Sequence, residues 1–163
     1  MSRKTDIGNI SIGGDSPIAV QTMYDIPLSQ LEEGFESRMH VLKGMGCDVI
    51  RFSYPHIAEH DVLCKVVELC PMPVVADIHF DWRNAMDAMD CNVAKIRINP
   101  GNIGAKWKTQ EIVKKAKDMG IAIRIGLNSG SLPKTERNIS MSELMVDTAL
   151  EYISWFEELG FYN

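Results

Sequence analysis

Three apolar runs in the middle of the chain end in the same way, and that shared ending constrains the fold more than any other feature. They are Pro73-Val-Val-Ala-Asp-Ile-His-Phe80, Ala94-Lys-Ile-Arg-Ile-Asn-Pro-Gly-Asn-Ile-Gly104 and Ile121-Ala-Ile-Arg-Ile-Gly-Leu-Asn-Ser-Gly130. Within each run, polar groups fall at even spacing: Asp77 and His79, Arg97 and Asn99, Arg124 and Asn128 with Gly126 between. Side chains alternate faces along a strand, so each polar set shares one face. Val74, Ala76 and Ile78, Ile96 and Ile98, and Ile123, Ile125 and Leu127 take the other. The pattern predicts strands covered by helices on one side, with a polar, ligand-ready lumen on the other.

The rest of the chain supplies units of the same kind. Residues 7–17 read as a short hairpin turning at Gly13-Gly14, with Ile10 and Ile12 alternating against polar neighbours. Ile18 to Met23 reads as a first buried strand. A helix over about 30–45 follows, with a capping box at Ser29 and Glu32 and an apolar stripe of Leu31, Phe35, Met39, Leu42 and Met45. Further strands are expected at 48–53, 74–80, 93–99 and 122–127. Further helices are expected at 58–69, from Asp81 to Met89, at 110–119 and at 141–159, the last with a capping box at Ser140 and Glu143. Phe161-Tyr-Asn163 reads as the start of a sixth strand. Alternating β and α with short connections calls for a parallel sheet. An open doubly wound sheet would be apolar on both faces of its central strands. The polar groups near the strand ends instead favour a barrel, whose functional groups collect there. The expectation is an α/β fold: a partial TIM-type (β/α) barrel of about five βα units after a short N-terminal hairpin. A complete barrel takes about 250 residues and the chain has 163, so residues 1–163 are expected to be the N-terminal part of a larger barrel domain.

Arg51, Arg97 and Arg124 all fall on the lumen face near strand ends, against one inward carboxylate, Asp77. Uncompensated buried charge is costly unless a ligand brings anionic oxygens, and guanidinium forks suit phosphate. The residues alone leave two readings open, a phosphate or diphosphate site or a set of structural ion pairs. Asp77-x-His79 admits a substrate-orienting pair, a structural pair or, more weakly, a metal site. Asn99 with Asn102, and Asn128, follow the Arg strands in glycine-containing loops where backbone can approach a ligand, or they form ordinary turns. Cys47, Cys64, Cys70 and Cys91 include no C-x-x-C and read as small buried hydrophobes, so no metal site is expected. A net charge of −5 gives no general attraction to nucleic acid or anionic membrane. No apolar run approaches the roughly 20 residues of a membrane span. With no secretory leader at its start, the protein is expected to be cytoplasmic. Two open sheet edges predict a homo-oligomer.

At these residues the chain resembles the 4-hydroxy-3-methylbut-2-enyl diphosphate synthase family. The resemblance is carried by Ile12-Gly-Gly, Pro17-Ile-Ala-Val-Gln-Thr-Met23, Val75-Ala-Asp-Ile-His-Phe80, Arg97-Ile-Asn-Pro-Gly-Asn-Ile-Gly104 and Ile123-Arg-Ile-Gly-Leu-Asn-Ser-Gly-Ser-Leu132, in register over most of the chain. It implies a reductive ring opening of 2-C-methyl-D-erythritol 2,4-cyclodiphosphate, with a barrel domain that binds the diphosphate. It also implies a separate domain with a [4Fe–4S] cluster, and flavodoxin or ferredoxin as electron donor. On that resemblance Arg51, Arg97, Arg124 and Asn128 hold the diphosphate, and Asp77, His79, Asn99 and Asn102 line the same pocket. Two departures stand out: Met23 is followed by Tyr24-Asp25-Ile26-Pro27 where the family carries a Thr-Asn-Thr type loop, and none of the four cysteines matches the cluster motif. The chain is therefore expected to lack catalytic residues of its own and to be inactive alone. The competing readings are another phosphate-binding barrel enzyme, against which Lys95, early on its strand, excludes strand-end Schiff-base chemistry, or a folded, self-associating chain without catalysis.

Overall fold

The computed structural model describes residues 2–136 and 138–163. A two-stranded antiparallel hairpin, β1 (Thr5–Ile7) and β2 (Ile10–Ile12), precedes a five-stranded parallel sheet. The sheet runs β3 (Gln21–Tyr24), β4 (Val49–Ser53), β5 (Val74–Asp77), β6 (Lys95–Ile98) and β7 (Ala122–Ile125), each strand beside its predecessor. Strictly sequential order with no switch point is barrel winding rather than doubly wound winding. The sheet is not closed into a barrel, as expected of five units. The covering helices are α1 (Phe35–Gly44), α2 (His60–Leu69), α3 (Trp82–Asp90), a short α4 (Pro100–Ile103), α5 (Lys106–Met119) and α6 (Met141–Glu157). Among the described residues no helix is long and apolar enough to cross a membrane.

The apolar face of the sheet is the core. Ile50, Ala76, Ile78, Ile96 and Ile98 are all fully buried, and each large aliphatic side chain so covered contributes roughly 1.5–3 kcal/mol. At the β3 end, Tyr24, Phe35 and Phe52 stack edge-on and tilted with centroids 5.2 to 5.9 Å apart. Trp82 and Trp107 meet edge-on at 5.4 Å, tying α3 to α5.

Local signals succeeded where they were self-contained. Asp81 caps α3 by accepting from the Arg83 amide at 2.9 Å, and Ser140 with Glu143 closes the capping box of α6. They failed where a neighbour decided the outcome. The hairpin turns at Gly8-Asn9, because Ile7 pairs with Ile10. Gly8 adopts a φ of +58°, and Gly13-Gly14 lies beyond the second strand. Ile18 to Met23 is not a buried strand: Ile18, 94% exposed, precedes β3, and Met23 is 41% exposed on what is an edge strand. No capping box forms at Ser29 and Glu32: Ser29 lies inside a separate turn of 3-10 helix (Leu28–Gln30), Glu32 follows it, and α1 begins at Phe35 behind Gly34. Met45 is exposed rather than part of the stripe. The last three residues form no strand, although the Asn163 carbonyl accepts from the Ile123 amide at 3.0 Å beside β7.

Candidate functional site

Parallel partners point to the same side of a sheet, so the register places the polar face in rows. Met23, Arg51, Val75, Lys95 and Ala122 form one row, and Ser53, Asp77, Arg97 and Arg124 form the next, nearer the strand ends. Four cationic side chains thus share a face with a single carboxylate. Asp77 is 3% exposed and lies at the centre of the cluster. Its Oδ1 accepts from Arg97 Nη1 at 3.2 Å, and its Oδ2 faces Arg51 Nη2 at 3.6 Å and His79 Nε2 at 3.4 Å. The carboxylate therefore does not pair with one arginine; it gathers two arginines and the histidine.

Each cation is held differently. Arg97 lies across β7 and donates from Nη2 to the Gly126 carbonyl at 2.5 Å. Arg51 donates to Met23 Sδ at 3.0 Å, and its Nε is buried without a hydrogen-bond partner among the described residues. A buried donor without an acceptor is uncommon and needs an explanation. Arg124 is in register with Arg97, is exposed, and makes no ion pair with another described residue. With Lys95 it borders a cleft of about 500 Å³ along the free edge of β7, whose other walls include Ile153, Phe156 and Tyr162. Lys95 lies early on its strand, but its spacing of two from Arg97 puts it on the same face. It is 9% exposed and donates to Gln21 Oε1 at 3.3 Å. Burial, then repulsion from Arg124 and Arg51, pushes its pKa below the ordinary lysine value. Burial is the larger cause, and the two arginines add to it because like charges gather on this face.

The asparagines separate into two kinds. Asn99 is fully buried; its Nδ2 donates to Ser131 Oγ at 2.6 Å and its Oδ1 accepts from the Gly101 amide at 3.2 Å, capping α4. Ser131 Oγ in turn donates to the Asn128 carbonyl at 2.9 Å. Asn99 thus ties the loop after β7 to the end of β6, and Ser131 is the partner that sequence reading did not single out. Asn128 is exposed and Asn102 half-buried in α4. The structure accordingly brings Arg51, Asp77, His79 and Arg97 into direct contact and sets Arg124 beside them. Asn99 acts as a brace. The metal reading of Asp77 and His79 gains nothing, because Asp77 is already engaged by two guanidinium groups. Nor do the cysteines fit an iron–sulfur cluster: Cys64 and Cys91 are bonded to each other, while Cys47 is buried and Cys70 half-buried.

Comparison with known proteins gives consistent results. A model of the GcpE TIM-barrel domain matches residues 2–163. The chain is 41% identical, over 92% of its length, to the 4-hydroxy-3-methylbut-2-en-1-yl diphosphate synthase (flavodoxin) of Treponema denticola, of which it covers 42%. It is 36% identical, over 99% of its length, to the protein of the same name from Symbiobacterium thermophilum, covering 44% of it. The chain thus spans less than half the length of these curated relatives. Among solved structures, dihydropteroate synthase from Thermus thermophilus superposes with a TM-score of 0.58 at 14% identity, covering 94% of this chain and 60% of that one. That likeness concerns the fold alone.

Proposed function

The chain belongs to the GcpE TIM-barrel domain family, and on that premise we propose that its polar face is the diphosphate-binding part of a 4-hydroxy-3-methylbut-2-enyl diphosphate synthase. The substrate in this reading is 2-C-methyl-D-erythritol 2,4-cyclodiphosphate. Arg51, Arg97 and Arg124 hold the phosphates, with Lys95 adding charge; Asp77 orients the first two arginines, and His79, at its partly open edge, faces the substrate. Asn102 and Asn128 border the pocket, and Asn99 holds their two loops together. The observation that carries the proposal is the imbalance on this face, four cations to one carboxylate, with Arg51 Nε buried and lacking an acceptor. A diphosphate brings the missing acceptors and charge.

In this reading residues 1–163 are the N-terminal part of a (β/α)8 domain. The remaining strands and the [4Fe–4S] cluster domain are formed by residues outside this chain, and flavodoxin or ferredoxin supplies electrons. In this reading the cysteines present here carry no electrons to the substrate. The free edges of β3 and β7, with the exposed Val146, Leu150 and Ile153 stripe of α6, favour association of the chain with copies of itself.

Calorimetric titration with inorganic diphosphate and with the cyclic diphosphate tests the assignment. Arg97→Ala is expected to weaken binding at least about tenfold, the loss of one charge-assisted hydrogen bond. Equal affinity for the variant and the unaltered chain overturns it.

A further inference from the structure

On the helical exterior, across the sheet from the arginines, four chemistry-bearing side chains form a second cluster. His60 opens α2, and Cys64 follows four residues later on the same helical face. Cys91 sits just after α3, 27 residues on, and is bonded to Cys64. Asp87 of α3 lies with its Oδ2 3.0 Å from His60 Nδ1 and also accepts from the buried Tyr54 hydroxyl.

We propose that Cys64 and Cys91, once reduced, join His60 in a three-ligand site for a soft divalent cation, zinc above all, with Asp87 orienting the imidazole. The ligand atoms of the three residues all lie within 4.8 Å of one another. A tetrahedral ion with Zn–S near 2.3 Å and Zn–N near 2.0 Å places nitrogen and sulfur roughly 3.6 Å apart. His60 Nε2 stands 3.4 Å from Cys64 Sγ and 3.9 Å from Cys91 Sγ, on either side of that value. The two sulfurs separate to roughly 3.8 Å by side-chain rotation once their bond is open.

The surroundings resemble a built metal site rather than a buried disulfide alone. Asp87 on Nδ1 keeps the proton there and leaves Nε2 to the ion, the carboxylate–histidine arrangement that orients metal-bound imidazoles. Cys91 Sγ, which in the disulfide lies beside the ring at 3.6 Å from Nδ1 and 3.9 Å from Nε2, swings toward Nε2 by side-chain rotation once the bond is open. Tyr54, fully buried, fixes Asp87 from behind. Two thiolates and one imidazole form a soft donor set that favours zinc over magnesium or calcium. Three protein ligands leave a fourth position for water. The side chain of His60 is 38% exposed, so an ion can enter.

The redox step balances simply. A dithiol reductant gives two electrons and two protons to the Cys64–Cys91 bond and becomes a disulfide itself. The two thiols then release both protons as the cation binds. Oxidation by thiol–disulfide exchange reverses the sequence and expels the ion, so disulfide and metal are alternative states of one site.

Cobalt titration of the 163-residue chain is the test, with dithiol-reduced chain freed of reductant under argon and oxidised chain run in parallel. The reduced chain is expected to take up one equivalent of Co²⁺ with thiolate-to-metal charge-transfer and tetrahedral ligand-field bands, lost on adding Zn²⁺; the oxidised chain is expected to take up none. Asp87→Asn is expected to keep the bands and weaken the metal 10- to 100-fold. Cys47→Ser with Cys70→Ser is expected to change nothing. A reduced chain without the thiolate band overturns the proposal, as does a band that survives His60→Ala at full affinity or vanishes with Cys47 and Cys70. The first of these readings uses the unaltered chain, so it stands even where a variant fails to fold.

Discussion

The guanidinium of Arg97 occupies the space that a side chain at Gly126 would fill. A Cβ at position 126 would stand 2.6 Å from Arg97 Cζ and 2.7 Å from Nη2, closer than any real contact of that kind. Gly126 is therefore a glycine for the sake of a residue on the neighbouring strand: its bare backbone lets Arg97 lie flat, bond its carbonyl and keep Nη1 on Asp77. From this follows that Gly126→Ala forces Arg97 off Asp77 and mimics Arg97→Ala. Diphosphate affinity is expected to fall roughly 10- to 100-fold while the circular dichroism spectrum is retained. Calorimetry on both variants checks it, and a Gly126→Ala chain that binds normally would show that Arg97 has another productive position.

Asp77→Asn leaves Arg51 and Arg97 facing one another without their shared carboxylate. Breaking a buried pair by removing one partner costs about 3–5 kcal/mol; because both arginines keep some contact with solvent, a loss of roughly 2–3 kcal/mol is expected. Urea denaturation measures it. A midpoint unchanged from the parent would mean that the cluster contributes nothing to the fold.

Lys95 makes stability depend on alkaline pH. Its folded pKa lies below the ordinary value of 10.5, so between the two the unfolded chain holds a proton that the folded chain has released. Stability therefore rises with pH across that window. Below it, the lysine is charged in both states and the full cost of burying the charge is present. Lys95→Met removes that cost. The variant is expected to melt higher at neutral pH, by about 2–4 °C if the cost is near 1 kcal/mol, and to lose its advantage as pH climbs through the window. In the proposed function it also binds diphosphate more weakly, so stability and affinity move in opposite directions.

The Asn99–Ser131 bond predicts coupling between two loops. Asn99→Ala removes both the cap of α4 and the brace, and is expected to cost about 1–2 kcal/mol. Ser131→Ala is expected to cost less. A double-mutant cycle on thermal unfolding is expected to give a coupling near 1 kcal/mol; strict additivity would mean that the two loops are positioned independently.

Which side of the sheet each residue takes was legible before any coordinates, because alternation along a strand is a property of the backbone itself. Arg51, Asp77, Arg97 and Arg124 fall on one face and Ile50, Ile78, Ile96 and Ile98 on the other for that reason alone, and Lys95 was legible by the same rule. Asp81 and the Ser140–Glu143 box were legible because a cap bonds residues two or three positions away. What the linear order left open was everything that depends on lateral neighbours. That Asp77 gathers two arginines, that Arg97 rests on Gly126, that Asn99 reaches Ser131 and that His60 meets Cys91 are all consequences of strand register and helix packing. Such contacts join residues 20 to 32 positions apart, and their energies are set by geometry that no short window of sequence contains.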